Sequence, residues 1–289
     1  MRRTLKVKAL EPVLSQISGI PYKIVPHWYG TTARPLYLDL ILPKLPERRH
    51  ALPVLVWLCG GAFAVMDRCV WLPTLMDYAR AGYAVASVDY RTAPQDPYPA
   101  AVEDVRAAIR WLRAHADQFG LDPDRIAAMG ESAGGYLALM TALGGGGFDT
   151  GEHLDFAGPV QAVVDYYGVA DFALRGSDEG CNHQVVDQFL GGDLSRKRLE
   201  RLACRNLIRP DSPPMLILHG SADPLVPVEG SIALYEALQA AGVPSDLILL
   251  DGAGHGEDAF YQPEIRSLIL SFLQDCLGTG SEQRRRHSW

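Results

Sequence analysis

Ile126-Ala-Ala-Met-Gly-Glu-Ser-Ala-Gly-Gly135 reads as a short apolar strand, a glycine-flanked serine turn and the start of an apolar helix. Gly130-Glu131-Ser132-Ala133-Gly134 thus stands between a strand and a helix, the context in which Gly-x-Ser-x-Gly carries information. So tight a turn leaves no room for bulky neighbours, hence glycine at both ends and alanine after the serine. It presents Ser132 Oγ at the carboxyl edge of a sheet. The N–H of Ala133, at the helix start, then points to where an oxyanion would form. Standing alone, the motif fits a surface serine between turn glycines equally well, so the flanking chain has to decide.

Strand-like and helix-like segments alternate on both sides of it. Pro53-Val-Leu-Val-Trp-Leu58 is continuously apolar, as a strand covered on both faces must be. Further strands are read at 83–88, 160–164, 215–218 and 246–250, and helices at 72–81, 99–115, 135–143, 229–240 and 263–276. In the second of these helices Val102, Val105, Ile109 and Leu112 share one face, with Glu103, Asp104, Arg106 and Arg110 largely off it. Two extended runs, 22–25 and 36–42, read as an antiparallel pair at one sheet edge. Repeated strand–helix units imply an α/β fold with a mostly parallel central sheet and helices on both faces. Ligands of such sheets bind beyond the carboxyl ends of the strands. The 289 residues are expected to form a single domain. An N-terminal extension is placed at 1–21, a cap insertion of short helices at 171–211 and a flexible tail at 278–289.

Two more post-strand loops carry chemistry. His219-Gly-Ser-Ala-Asp-Pro-Leu225 follows one strand and Asp251-Gly-Ala-Gly-His-Gly256 the next. A serine, a carboxylate and a histidine therefore sit in chain order on three strand-end loops. Serine is a weak nucleophile near neutral pH and needs an adjacent base. Imidazole can take its proton and return it to a leaving group, and a carboxylate fixes the imidazole tautomer. Ser132, Asp223 and His255 are the candidates for these roles. Asp251 and Asp258 compete as the acid, and His219 is a rival base whose strand-end place better suits a structural hydrogen bond. Cys59-Gly-Gly-Ala-Phe63, after the early strand, offers backbone N–H groups of Gly61 and Ala62 to an oxyanion, joined by Ala133.

Composition narrows the function class. A formal charge of −7 argues against a nucleic-acid surface. No stretch approaches the roughly 18 apolar residues that span a bilayer, and the basic N-terminus is followed by no signal-peptide core. Five cysteines at irregular spacing make a disulfide framework unexpected, with a reducing cytoplasm as the default location. No cofactor or metal is implied, because Cys181-x-His183 alone lacks the ligand spacing of a zinc site. An edge strand or the last helix could serve a homodimer, and nothing in the sequence picks one out.

Taken with 83–91 and 120–126, these motifs resemble those of the α/β-hydrolase superfamily, and within it the hormone-sensitive-lipase-like and BD-FAE-like esterases, over about residues 22–277. The resemblance implies an α/β-hydrolase fold and a serine carboxylesterase with Ser132 as nucleophile, His255 as base, Asp223 as acid and the glycine loop as oxyanion hole. It points to short acyl or aryl esters as substrates, including acetyl or feruloyl esters of plant sugars. Trp71, Tyr98, Tyr166 and Tyr167 are candidates for stacking on such a ligand, packing being the commoner fate of aromatics. The family's glycine loop usually opens with histidine where this chain has Cys59, which puts loop geometry rather than donor number in question. Alternatives on the same constellation are a thioesterase, a small-peptide hydrolase, or a ligand-binding member without catalysis.

Overall fold

The computed structural model describes residues 2–8, 10–44, 51–174 and 183–278. Among them, eight strands form one sheet: β1 (Val13–His27), β2 (Thr32–Lys44), β3 (Leu52–Leu58), β4 (Ala84–Val88), β5 (Leu121–Glu131), β6 (Ala162–Tyr166), β7 (Met215–Gly220) and β8 (Ser245–Leu250). Their spatial order is β1-β2-β4-β3-β5-β6-β7-β8. From β4 across to β8 each neighbouring pair is parallel, whereas β2 runs antiparallel to both β1 and β4. The α/β-hydrolase architecture read from the sequence is the one observed.

Continuously apolar strands are required because helices cover both faces. On one face Val54, Val56, Ala128, Val163 and Ile217 meet α2 (Ala100–Ala114), the single turn α3 (Ala116–Phe119), α4 (Ala133–Leu143) and α7 (Val228–Ala240). On the other, Leu55, Trp57, Ala127, Met129, Val164 and Leu218 meet α1 (Leu72–Arg80) and α8 (Pro263–Leu277). Successive strand residues fall alternately into the two cores, as the two-residue side-chain period dictates. Helix α4 is buried along its whole length, which explains its lack of a polar face. Register then sets the site. Leu58 pairs with Gly130, Glu131 with Tyr166, Tyr166 with Leu218, and Gly220 with Leu250, so the strand ends lie level along one edge.

Two expectations need correction. Strand β1 starts at Val13, so much of the expected 1–21 extension belongs to the sheet. Its polar residues and its register shifts at Ile17/Ile20 and Pro21/Lys23 hide the alternation, as happens on a bulged, half-solvated edge. On α2, Asp104, Arg106 and Arg110 are buried rather than turned to water. Burial is tolerable because each is paired: Asp104 with Lys23 and Arg91, and the two arginines with Asp149.

The expected cap contributes α5 (His183–Phe189) and α6 (Arg196–Leu202). Phe189 of α5 stacks on Phe63 at 3.8 Å between ring centroids. Residues 175–182, with Cys181, and the tail from 279 lie outside the described residues. Among the described residues no helix is long and apolar enough to cross a membrane.

Candidate active site

Ser132 occupies the turn between β5 and α4 with φ +53° and ψ −117°, a left-handed conformation unusual for a residue with a side chain. Close backbone packing enforces it. A Cβ on Gly130 would lie 2.4 Å from the carbonyl oxygen of Gly134, and one on Gly134 would lie 2.0 Å from that of Leu58. Ser132 itself remains half-exposed.

His255 is delivered by the loop after β8. That loop packs on the one after β7 through Ala222 N–H to Ala253 O (3.0 Å) and Gly252 N–H to Ser221 Oγ (2.8 Å). Gly220 is required there, since a Cβ would meet Ala253 O at 2.3 Å. His255 Nε2 then lies 2.9 Å from Ser132 Oγ, and its Nδ1 2.6 Å from Asp223 Oδ2. The other carboxylate oxygen of Asp223 accepts the N–H groups of Leu225 (2.8 Å) and Val226 (2.9 Å). Burial alone would push the Asp223 carboxyl up. Hydrogen bonding to His219, His255 and Val226 N–H outweighs burial and holds it well below the usual carboxylate range. An ionised carboxylate only accepts, so Nδ1 of His255 carries the ring proton. Nε2 is left free to accept from the Ser132 hydroxyl.

The rivals are placed elsewhere. Asp251 and Asp258 are exposed and make no hydrogen bond to His255 among the described residues. His219 is fully buried, with Nε2 donating to Val226 O (3.0 Å) and Nδ1 taking the Ser231 hydroxyl (2.7 Å). With both nitrogens engaged it has no lone pair for a substrate proton. Its Nε2 also lies 3.4 Å from Asp223 Oδ2, so it buttresses the carboxylate.

The Cys59–Phe63 loop lies beside Ser132. Three successive residues take positive φ: Gly61 (+123°), Ala62 (+52°) and Phe63 (+62°). Among the described residues, none accepts a hydrogen bond from the N–H of Gly61, Ala62 or Ala133. Unpaired donors at a strand end and a helix start are groups able to receive an anion. The loop keeps this form with cysteine at its head because Tyr90 OH donates to Cys59 O (2.5 Å) and Ala93 N–H to Phe63 O (2.8 Å). Burial, with Glu131 nearby, raises the Cys59 thiol to about 11, so it stays protonated and is a poor nucleophile at neutral pH.

Two further residues belong to this site, and the first of them carries no signal in the sequence. Glu131, the variable position of Gly-x-Ser-x-Gly, hydrogen bonds to the Gly60 N–H. Tyr167 presents an edge to the His255 ring at 4.6 Å. Of the four aromatics read as candidate ligand contacts, Tyr166 and Tyr167 are buried in packing, while Trp71 and Tyr98 are half-buried. Trp71 stacks on Tyr261 at 4.4 Å.

The BD-FAE family model matches residues 38–238, and a TAP-like protein model matches 197–281. Esterase LipQ of Mycobacterium tuberculosis is 31% identical over 280 residues, 91% of this chain and 62% of LipQ. Carboxylesterase NlhH of the same organism is 34% identical over 83% of this chain and 76% of its own. The chain thus spans less than two thirds of LipQ, and 53% of esterase LipC, a third mycobacterial relative. Among solved structures, the butyrate-bound esterase Est2 of the Planctomycetes species Thermogutta terrifontis superposes with a TM-score of 0.74 at 26% identity, covering 86% of this chain and 92% of its own. A truncated carbohydrate esterase from gut microbiota shares the fold, with a TM-score of 0.77 at 24% identity over 95% of this chain and all of its own. A family model covering well over half the residues, on a sheet whose strand ends carry these three loops, settles the relationship: the chain belongs to the BD-FAE family of α/β-hydrolases.

Proposed function

We propose that the protein is a serine carboxylesterase acting on short acyl or small aryl esters through an acyl-enzyme. The observation that carries this reading is the hydrogen-bonded line Ser132–His255–Asp223, at 2.9 and 2.6 Å, beside unpaired backbone donors. In the proposed reaction Ser132 Oγ attacks the ester carbonyl while His255 Nε2 takes its proton. The carbonyl oxygen becomes an oxyanion held by the N–H groups of Gly61, Ala62 and Ala133. Collapse of the adduct breaks the bond to the alcohol, which leaves with the proton returned by His255. Water, deprotonated by the same nitrogen, then attacks the acyl carbonyl and frees the acid and Ser132. The buried Asp223 carboxylate stabilises the imidazolium formed in each half-reaction.

Relatives named esterase or carboxylesterase, and a structural neighbour binding butyrate, support this class and chain length. Acetyl and feruloyl sugars belong in the same test. The experiment is hydrolysis of p-nitrophenyl esters from acetyl to decanoyl, with acetylated and feruloylated sugars, by wild type and Ser132→Ala. Loss of the nucleophile should lower kcat by about 10⁶, as in other serine hydrolases. Equal rates in the two folded proteins would refute the reading.

A further inference from the structure

Glu131 lies between Gly130 and Ser132, and its half-buried carboxylate faces the neighbouring loop rather than solvent alone. Oε1 accepts the Gly60 N–H (2.7 Å) and the Trp71 indole N–H (3.1 Å). Oε2 accepts the Tyr167 hydroxyl (3.3 Å), whose oxygen is 2.5 Å from that of Tyr261. The loop and the serine turn are in direct contact here. A Cβ on Gly60 would stand 2.7 Å from Oε1 and 2.9 Å from the backbone oxygen of Glu131.

We propose that Glu131 is a positioning residue that keeps the donors of the Cys59–Phe63 loop in register with Ser132. This rests on the esterase reading above. Three consecutive positive φ angles, two at residues with side chains, do not persist without outside restraint. Among the described residues, the hydrogen bonds that tie the loop's backbone to other segments are the Tyr90 hydroxyl on Cys59, the Ala93 N–H on Phe63 and the Glu131 carboxylate on Gly60. The first two anchor the loop to the segment after β4. Glu131 instead belongs to the turn that carries the nucleophile. It fixes the separation between Ser132 and the N–H groups of Gly61 and Ala62, the separation on which stabilisation of a tetrahedral adduct depends. Trp71, Tyr167 and Tyr261 hold the carboxylate in turn, and the ring contacts of Tyr167 with His255 and of Trp71 with Tyr261 close the assembly around it.

Because such a restraint acts on the oxyanion and not on the bound ester, its removal should lower kcat and leave KM in place. The test compares Glu131→Ala, Glu131→Asp and Glu131→Gln by kcat, KM, thermal midpoint and inhibition by an alkyl trifluoromethyl ketone, whose serine adduct places an oxyanion in the hole. Alanine and the shorter aspartate should lower kcat by roughly 10- to 100-fold, with KM within about threefold, and weaken the ketone by the same factor. Glutamine retains an oxygen acceptor for Gly60 and should stay within about threefold of wild type. Wild-type kcat and ketone affinity in a folded alanine variant would overturn the proposal. So would equal losses in the glutamine and alanine variants, and the glutamine arm decides the matter if alanine does not fold. Ser132→Ala, measured alongside, separates the two readings. An inactive serine variant with an unimpaired Glu131→Ala sinks only the positioning role, whereas an active serine variant sinks both.

Discussion

Gly134→Ala adds one methyl group at the place where the start of α4 meets the end of β3. Its Cβ would stand 2.0 Å from the carbonyl oxygen of Leu58, 2.6 Å from the carbonyl carbon and 2.8 Å from the oxygen of Cys59. All three are backbone atoms, so no side chain can rotate out of the way. Reaching even 3.0 Å, a closeness real Cβ atoms rarely go below, requires the two segments to part by about 1 Å. One segment carries Ala133 and follows Ser132 directly, and the other leads into Gly61 and Ala62. The displacement therefore opens the proposed oxyanion site along its own width. A misplacement of that size costs on the order of 10²-fold in rate, and overpacking costs roughly 1–3 kcal/mol in stability. We expect Gly134→Ala to fold, to melt a few degrees lower and to hydrolyse p-nitrophenyl butyrate with kcat about 100-fold below wild type. The assay is kcat per active site titrated with an organophosphate, alongside a thermal melt. A kcat within about threefold of wild type would refute the reasoning, for it would mean that loop and turn can separate without consequence.

Asp223→Asn should lower kcat by around 10⁴ with little change in KM, since an amide can turn its NH₂ to Nδ1 and impose the wrong tautomer, read out in the same ester assay. Asp165 makes a prediction in pH. It is fully buried at the end of β6, its Oδ1 accepts the Gly168 N–H (3.0 Å) and its Oδ2 has no partner among the described residues. Burial, partly offset by His219 and the Gly168 N–H, raises its carboxyl to about 7. A raised carboxyl stabilises the fold fully below its unfolded value and loses that contribution as pH climbs through the folded one. The loss therefore falls between about pH 4 and 7 and reaches at most 2–3 kcal/mol between pH 5 and 7. Asp165→Asn lacks this dependence, so its melting temperature relative to wild type should improve from pH 5 to pH 7.5. A constant difference across that range would count against the assignment.

Ser132, Asp223 and His255 could be read from the chain because each directly follows an apolar strand, and parallel strands deliver their carboxyl ends to one edge. The pairings Gly130 with Asp165 and Gly220 with Leu250 turn that rule into hydrogen-bond distances. Asp223 rather than Asp251 became the partner of His255 through the fit between two loops, a tertiary fact that local sequence does not encode. Glu131 was invisible for a related reason. The motif constrains its neighbours sterically and leaves its own side chain free, so its partners come from three distant segments. The arginines of α2 show the limit of periodicity: a helix face that looks solvated in sequence is covered by the chain around Asp149, 39 to 43 residues later. The first part of β1 was hidden by bulges and by polar residues that an edge strand accommodates.

Phe63 looks in two directions at once. Its carbonyl oxygen holds Ala93, its backbone closes the glycine loop, and its ring lies flat on Phe189 of α5, whose own carbonyl accepts the Tyr98 N–H (2.7 Å). The insertion and the loop therefore do not vary as separate modules. A helix borrowed from a relative to change which ester is admitted would arrive as one half of an aromatic sandwich, and the other half is continuous with the amides proposed to do the chemistry. Redesign of substrate range in this scaffold has to carry both halves together.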